Sequence, residues 1–463
     1  MELLRFHLPA LGQAASLVLS ERTGEALLLD PRRDVDGYLE ACRARGARIA
    51  YVLDSHGHND YVSGVAEVAA RAPGVRVLAS AHAPVSYDHI PLRDREVLEL
   101  GEAVVEVLHT PGHTPEHLAL LLRDTSASEE PVALLSGGAL LVGDVARPDL
   151  LGGPEEAREL ARAACRTLAE RILPLPDHVE VHPTHVAGSL CGSRIGSGLS
   201  TTIGRERRSN PSLLRLAAGE ADGGCIDLSD LPAVPPYWRR MRPINLAGPP
   251  LLGPAVEPPA LPPAELEALL AGGVLLLDCR SVEAFAGGHV PGSLHVELGP
   301  SFPTWAGTVL PEGARVVLVV DRPEDVREAT LHLLRIGSEP PVGWLRGGLR
   351  AWKQEGRPIG AIPTLDPGRL RDLLDRAEVE VLDVRQPAEW RAGHIEGARF
   401  ITGAELPARL DEVPRDRPVA VVCGSGYRSS VAASLLARAG VEVRNLAGGM
   451  TAWRRAGHPV VPG

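Results

Sequence analysis

The sequence predicts an α/β protein of about three domains, and three observations carry that expectation. A chain of 463 residues exceeds what one hydrophobic core covers, since domains run to roughly 150 residues. The stretch GPPLLGPAVEPPALPP, residues 248–263, is rich in prolines that remove backbone donors and favour extended chain, which marks a linker. Beyond it the sequence repeats itself. The expected bounds are therefore 1–247, a linker at 248–263, and two copies at 264–360 and 361–463.

A hydrophobic share of 44% beside 23% charged residues gives the chain enough apolar surface to fold throughout. The net charge of -11 and the lack of any long basic run exclude nucleic acid as a partner. The opening MELLRFHLPALGQAASLVLS is broken by Pro9, Gly12 and Gln13, so it reads as the first strands rather than a secretory signal. No apolar run approaches the about 20 residues that cross a bilayer, which predicts no membrane insertion. The six cysteines, at 42, 165, 191, 225, 279 and 423, show neither CxxC spacing nor the density of a disulfide scaffold, and a reducing cytoplasm is expected.

Before the linker, short β-rich runs such as LVLS and ALLLD alternate with helical stretches such as Pro154 to Arg171, an α/β mixture. After it, VLLLDCRSVEAFAGGHVPGSLHV from Val274 answers VEVLDVRQPAEWRAGHIEGARFI from Val379. Asp278, Arg280, His289 and Gly292 match Asp383, Arg385, His394 and Gly397 at identical offsets, and both copies end alike, in GGLRAW and GGMTAW. Within each copy a buried strand precedes a helical pattern, RVVLVV before REATLHLLRIG and PVAVVC before RSSVAASLLARAG. That order implies a mainly parallel sheet covered on both faces.

In VVCGSGYRSSVAASLLARAG, Cys423 leaves a buried strand and a Gly-rich turn leads directly into a helix. Such a loop aims backbone N–H groups inward and adds the positive end of a helix, which stabilises a thiolate or persulfide anion. Arg428 adds a fixed charge. The segments DVRQPAEWRAGHIEGA, CGSGYRS and GGMTAW resemble a single-domain rhodanese with its landmarks in order. The resemblance implies that Cys423 accepts a sulfane sulfur and passes it to a thiol, with Gly424, Ser425, Gly426, Tyr427 and Arg428 forming the cradle. Related cysteine phosphatases place one more residue between Cys and Arg, so sulfur transfer is favoured over phosphate hydrolysis. The first copy has Asp321 where the nucleophile should stand, in VVDRPEDVRE, and Cys279 aligns with Val384, so that copy is expected to be structural or to present substrate.

In the N-terminal part, LDSHGHNDYVSG supplies His56, His58 and Asp60, TPGHTPEH supplies His113, and HPTHVAGSLCG supplies His185. Three histidine clusters, each at the end of an apolar run, point to a shared metal site. Their order, with TTIGRERRSNP downstream, resembles the metallo-β-lactamase fold, in its persulfide dioxygenase and glyoxalase II branch. With the repeat behind it, nearly the whole chain resembles bacterial persulfide dioxygenase-rhodanese fusions. The implied architecture is an αββα sandwich followed by two doubly wound parallel-sheet domains.

The resemblance implies one Fe(II) per chain, with zinc an alternative in purified protein, held by His56, His113 and an aspartate. At the aspartate's place this sequence has Gly138. Three readings follow: Asp144 substitutes, His58 completes a three-histidine site with His56 and His113, or the domain keeps the fold without the chemistry. Tyr61 and Gly138 remove two ligands of a second metal, which speaks against a dinuclear zinc hydrolase of the glyoxalase II kind, and leaves Asp60 and His185 as orienting groups. The expected function is oxidation of a low-molecular-weight persulfide, such as glutathione persulfide, to sulfite, coupled to sulfur transfer through Cys423 with thiosulfate or sulfite as partners. The alternative is a sulfurtransferase with a metal-impaired scaffold domain. The resemblance leaves a homodimer open.

Overall fold

The computed structural model describes residues 1–229, 231–253 and 257–463. The chain folds as two compact units, Met1–Leu231 with Trp238–Pro254, and Pro232–Tyr237 with Ala255–Gly463.

In the first unit two six-stranded sheets face each other. One runs Glu2–Leu8, Gln13–Leu19, Glu25–Leu29, Arg48–Leu53, Arg76–Ser80, Ile90–Leu92 in spatial order. The other runs Thr201–Thr202, Glu180–Pro183, Pro131–Gly137, Leu118–Asp124, Ala103–His109, Val97–Leu100. The period-two alternation of strands builds the layers. Leu27 and Leu29 of one sheet and Leu120 and Leu122 of the other share the central core. Leu28 turns outward to Tyr38, Cys42, Val65 and Val68 of the helices Asp36–Arg43 and Val65–Arg71, and Ala119 and Leu121 turn outward to Ala161 and Ala164 of the helix Pro154–Thr167. The result is the expected αββα sandwich. Four strands, Arg48–Leu53, Ala103–His109, Pro131–Gly137 and Glu180–Pro183, release the chain just before the histidine motifs and Gly138.

In the second unit each repeat forms a five-stranded parallel sheet of the same order: Ala260–Leu261, Gly343–Leu345, Val316–Val319, Leu275–Asp278, Leu294–His295, then Thr364–Leu365, Val443–Leu446, Val419–Val422, Glu380–Asp383, Arg399–Phe400. Val419 and Val421 enter one core and Ala420 and Val422 the other, so both faces are covered. The residues that reveal the repeat hold the fold together. Arg280 donates to both carboxylate oxygens of Asp278 and to Gly288 O, and Arg385 does the same to Asp383 and Gly393 O. His289 stacks on Phe285 at 4.1 Å, as His394 does on Trp390 at 3.4 Å.

Parts of the proline-rich stretch are held in place. Pro250 O accepts from Arg33 at 2.7 Å and Leu252 N–H donates to Glu67 at 2.5 Å, while Ala260–Leu261 is an edge strand; residues 254–256 of the expected linker lie outside the described residues. The cysteine expectation needs correction. Cys165 and Cys225, 60 residues apart, form a disulfide, an uncommon feature in a reducing compartment. Both sulfurs are sealed in the core behind the outer helix. Cys42, Cys191, Cys279 and Cys423 are free and buried. No helix among the described residues is long and apolar enough to cross a membrane.

Candidate functional site

The loops leaving the four strands bring His56, His113 and His185 together, with one ring nitrogen of each within 4.8 Å of the others. All three rings are buried. The outer nitrogens of His56 and His113 are bonded in ways that fix their tautomers. The Ser55 hydroxyl donates to Asp30 at 2.9 Å, so His56 Nδ1–H is the donor in its 2.8 Å bond to Ser55 Oγ. His113 Nδ1–H donates to Arg147 O at 2.7 Å, and His185 Nδ1 faces Asp60 Oδ2 at 3.4 Å. The two bonds leave the Nε2 lone pairs of His56 and His113 free to face the cluster, while against the effect of burial Cys191 and Asp60 raise the pKa of His185. His113 Nε2 is buried with no hydrogen-bond partner, and His56 Nε2 lies 3.3 Å from His185 Nε2. Lone pairs this close repel unless a proton or metal ion lies between them. Burial, with the neighbouring histidines, holds His56 and His113 well below the usual imidazole range, keeping them neutral.

Of the histidines expected at the metal, His56 and His113 group with His185 rather than with His58 as residues that could hold an ion. His58 turns away because its Nε2 bonds to Asp30 Oδ1 at 3.1 Å and its ring stacks on Tyr61 at 4.4 Å. With Asp60 and His185 it forms a second ligand-capable group, which shares His185 with the first. Asp144 is not available as the substitute ligand: its Oδ2 accepts from Ser193 N–H and Arg194 N–H at 2.8 and 2.7 Å. Gly138 does lie at the cluster. A Cβ there would stand 2.8 Å from His113 Cδ2 and 3.1 Å from Ala146 Cβ, and Gly138 N–H donates to His117 Nε2 at 2.8 Å.

Asp30 and His117 were not singled out by sequence reasoning. Asp30 has a left-handed backbone, φ 56°, a conformation Asp tolerates better than most residues. Its carboxylate accepts from Ser55 N–H, Ser55 Oγ, His58 and Thr184 Oγ1, tying two of the histidine loops together. Burial alone would raise its pKa, but His58 and the bonds from Thr184 and Ser55 bring it to about 2.

In the second repeat Cys423 sits fully buried at the floor of its loop. Gly426 N–H donates to Cys423 Sγ at 3.1 Å and Ser429 Oγ–H at 3.4 Å. Gly426, at φ 105°, turns the loop into the helix Tyr427–Arg438. Behind the loop, Met450 N–H and Thr451 N–H donate to Cys423 O and Gly424 O at 2.7 and 3.0 Å. A Cβ on Gly449 would meet Cys423 O at 2.3 Å, which is why the GGMTAW motif needs its second glycine. Ser425 is exposed at the rim.

The expected fixed charge of Arg428 is shared: it forms a bidentate pair with Glu389, at 2.6 and 2.7 Å. Burial opposes its charge, but Glu389 and Cys423 beside it raise its pKa. Glu389 too was not anticipated from sequence. In the first repeat Asp321 is exposed and no glycine turns the loop.

A model of the metallo-beta-lactamase superfamily matches residues 9–191, and one of the rhodanese-like domain matches 262–355 and 366–456. A sulfurtransferase of Allochromatium vinosum is 41% identical over 90 residues, 19% of this chain and 84% of its own. The mitochondrial persulfide dioxygenase ETHE1 of Bos taurus is 27% identical over 195 residues, 41% of this chain and 66% of that protein. The crystal structure of a metallo-beta-lactamase from Staphylococcus aureus superposes with a TM-score of 0.65 at 29% identity, covering 74% of this chain and 98% of that one.

Proposed function

Because the chain belongs to the rhodanese-like family, with a metallo-β-lactamase superfamily domain ahead of two tandem rhodanese-like domains, we propose that it is a sulfur-handling enzyme with two centres. Cys423 transfers sulfane sulfur, and the histidine cluster oxidises a low-molecular-weight persulfide. The observation that carries the proposal is the pairing, in one chain, of a glycine-turned cysteine cradle with three buried imidazoles whose ring nitrogens lie within 4.8 Å of one another.

At the cradle, the Cys423 thiolate attacks the outer sulfur of a donor such as thiosulfate. The donor's S–S bond breaks, sulfite leaves with the electron pair, and Cys423 carries a persulfide. An acceptor thiolate then attacks the outer sulfur, taking it as a new persulfide and returning the Cys423 thiolate. Gly426 N–H and the start of the cysteine helix hold the negative charge in both states.

At the cluster, the orphaned His113 Nε2 and the opposed His56 and His185 nitrogens fit one divalent ion, and His56, His113 and His185 would hold it. A ferrous ion held there would supply the redox chemistry that activates oxygen toward a persulfide sulfur. Ser55, the Arg147 carbonyl and Asp60 orient the three rings, and burial keeps bulk water from them. The convergence of His185 in place of an aspartate favours this reading over a metal-free scaffold. A two-zinc hydrolase is disfavoured because His58 is engaged by Asp30 and the two groups share one histidine.

The test is oxygen uptake by anaerobically iron-loaded protein on addition of glutathione persulfide, with sulfite assayed in parallel. Uptake that is lost in His185→Ala and kept in Cys423→Ser, with thiosulfate-dependent transfer lost in Cys423→Ser and kept in His185→Ala, supports both centres. Thiosulfate-dependent transfer with no uptake at stoichiometric iron refutes the oxidising centre and leaves Cys423 alone.

A further inference from the structure

We infer that the first repeat, which has Asp321 in place of the loop cysteine, positions the Cys423 cradle of the second through a buried histidine, His295, and the backbone carbonyl of Glu297. The inference rests on Cys423 being the sulfur-bearing group.

One stripe of the cysteine helix faces the first repeat. Tyr427 Oη–H donates to Glu297 O at 3.2 Å, Ser430 Oγ lies 2.9 Å from His295 Nδ1, His295 N–H donates to Ser434 Oγ at 2.9 Å, and Arg438 donates to Gly292 O at 2.8 Å. Residues 427, 430, 434 and 438 follow helical spacing and form one face. Gly426 and Ser429, which hold Cys423 Sγ, lie at the start of the same helix. Whatever fixes the Tyr427 and Ser430 turn therefore fixes the donors on the sulfur.

His295 is fully buried, and its backbone N–H and both ring nitrogens are hydrogen-bonded. Its Nε2 is 2.9 Å from Arg280 O. A carbonyl only accepts, so Nε2 carries the proton and Nδ1 accepts the Ser430 hydroxyl. Arg280 is itself locked to buried Asp278, so the chain of contacts from Asp278 to the first turn of the cysteine helix passes through fixed groups. The internal repeat supplies a comparison. His295 pairs with Asp278 in register as Phe400 pairs with Asp383, and it stacks on Phe285 at 4.4 Å as Phe400 stacks near Trp390 at 4.8 Å. Packing at this place asks only for a flat ring. The first repeat uses a ring with two hydrogen-bonding nitrogens: Nε2 is anchored on Arg280 O within the repeat, and Nδ1 reaches the cysteine helix.

The test compares full-length wild type with His295→Phe, which keeps the stacking ring, Ser430→Ala, which removes the same bond from the helix side, and Arg438→Ala, which cuts a contact at the far end of the helix. Two readouts are needed: kcat/KM for transfer from thiosulfate to a dithiol, and the pH dependence of Cys423 alkylation, followed on its own peptide. The expected result is a loss of about three- to tenfold in kcat/KM in the first two variants, the scale of one buried hydrogen bond. Their alkylation midpoint moves to higher pH, and Arg438→Ala leaves both readouts unchanged. Should His295→Phe fail to fold, Ser430→Ala decides. Wild-type behaviour in His295→Phe and Ser430→Ala overturns the inference. So does an equal loss in Arg438→Ala, because it would show mere loosening of the junction. A wild type that transfers no sulfur refutes the assignment of Cys423 instead, while the alkylation profiles still decide the positioning.

Discussion

Replacing Gly138 separates a lost ligand from a packing constraint. A Cβ at this position meets His113 Cδ2 at 2.8 Å and Ala146 Cβ at 3.1 Å. The His113 ring cannot swing aside freely, because its Nδ1–H is bonded to Arg147 O at 2.7 Å. Gly138→Ala should therefore pay the overpacking penalty of about 1–3 kcal/mol. At about 2–4 °C per kcal/mol for a domain of this size, the N-terminal transition of metal-free protein should fall by about 2–12 °C. Gly138→Asp suffers the same clash without metal. With metal its carboxylate becomes an added ligand, and each tenfold gain in affinity returns about 1.4 kcal/mol. Calorimetry with and without chelator, together with a competitive Fe(II) or Zn(II) titration of the alanine and aspartate variants, reads both effects. The reasoning is refuted if Gly138→Ala melts with the parent, since position 138 would then not press on His113, or if Gly138→Asp binds metal no more tightly than Gly138→Ala.

Three further outcomes are expected. Asp30, held at about 2 in the fold by His58, Thr184 and Ser55 against the opposing effect of burial, is depressed relative to an ordinary aspartate; its stabilisation is complete above about pH 4 and fades as pH falls toward 2. About 2–3 kcal/mol is at stake, and denaturant titrations of metal-free Asp30→Asn should lack that part of the acid slope. Arg385→Ala leaves Asp383 buried without its partner, which should cost about 3–5 kcal/mol and lower the midpoint of the C-terminal transition, read by chemical denaturation of the full chain. Replacing Cys165 and Cys225 with alanine opens a loop of 60 residues and should remove about 2–4 kcal/mol from the N-terminal unit, visible as a lower melting temperature with the second transition unmoved.

Much of the fold was legible because its signals are local. The Asp–Arg–His–Gly series repeats at identical offsets, and the structure shows why: the arginine closes on an aspartate two residues before it and on a glycine carbonyl eight residues after it. The cysteine cradle was legible for the same reason, since Cys423, Gly426 and the helix start are contiguous. The place of His58 was less legible, because its adjacency to His56 suggested a shared role. The group that sequence did not reveal is Asp30, 28 residues before His58, which bonds His58 Nε2, while His56 and His113 group with His185. Glu389, the disulfide partners and the Asp144 contacts escaped likewise, because each joins segments 39 to 60 residues apart and carries no periodicity or motif of its own.

The two repeats divide fold-bearing from chemistry-bearing residues within one chain. Both keep the buried aspartate–arginine pair, the histidine stacked on an aromatic ring and paired left-handed glycines, Gly347 with Gly348 and Gly448 with Gly449. Those features build the sheet and its last helix and say nothing about sulfur. What differs is the loop after the central strand, where glycine-turned Cys423 faces an exposed, proline-containing counterpart at Asp321, and the ring beside the buried aspartate, histidine in one copy and phenylalanine in the other. A copy kept only to fill space would need no hydrogen-bonding ring at a buried junction, where an unpaired nitrogen costs about 1–3 kcal/mol. The histidine is tolerable there because Ser430 and the Arg280 carbonyl meet both nitrogens. The loss of one nucleophile and the gain of one buried hydrogen-bonded contact to the other copy's helix thus belong to the same division of labour.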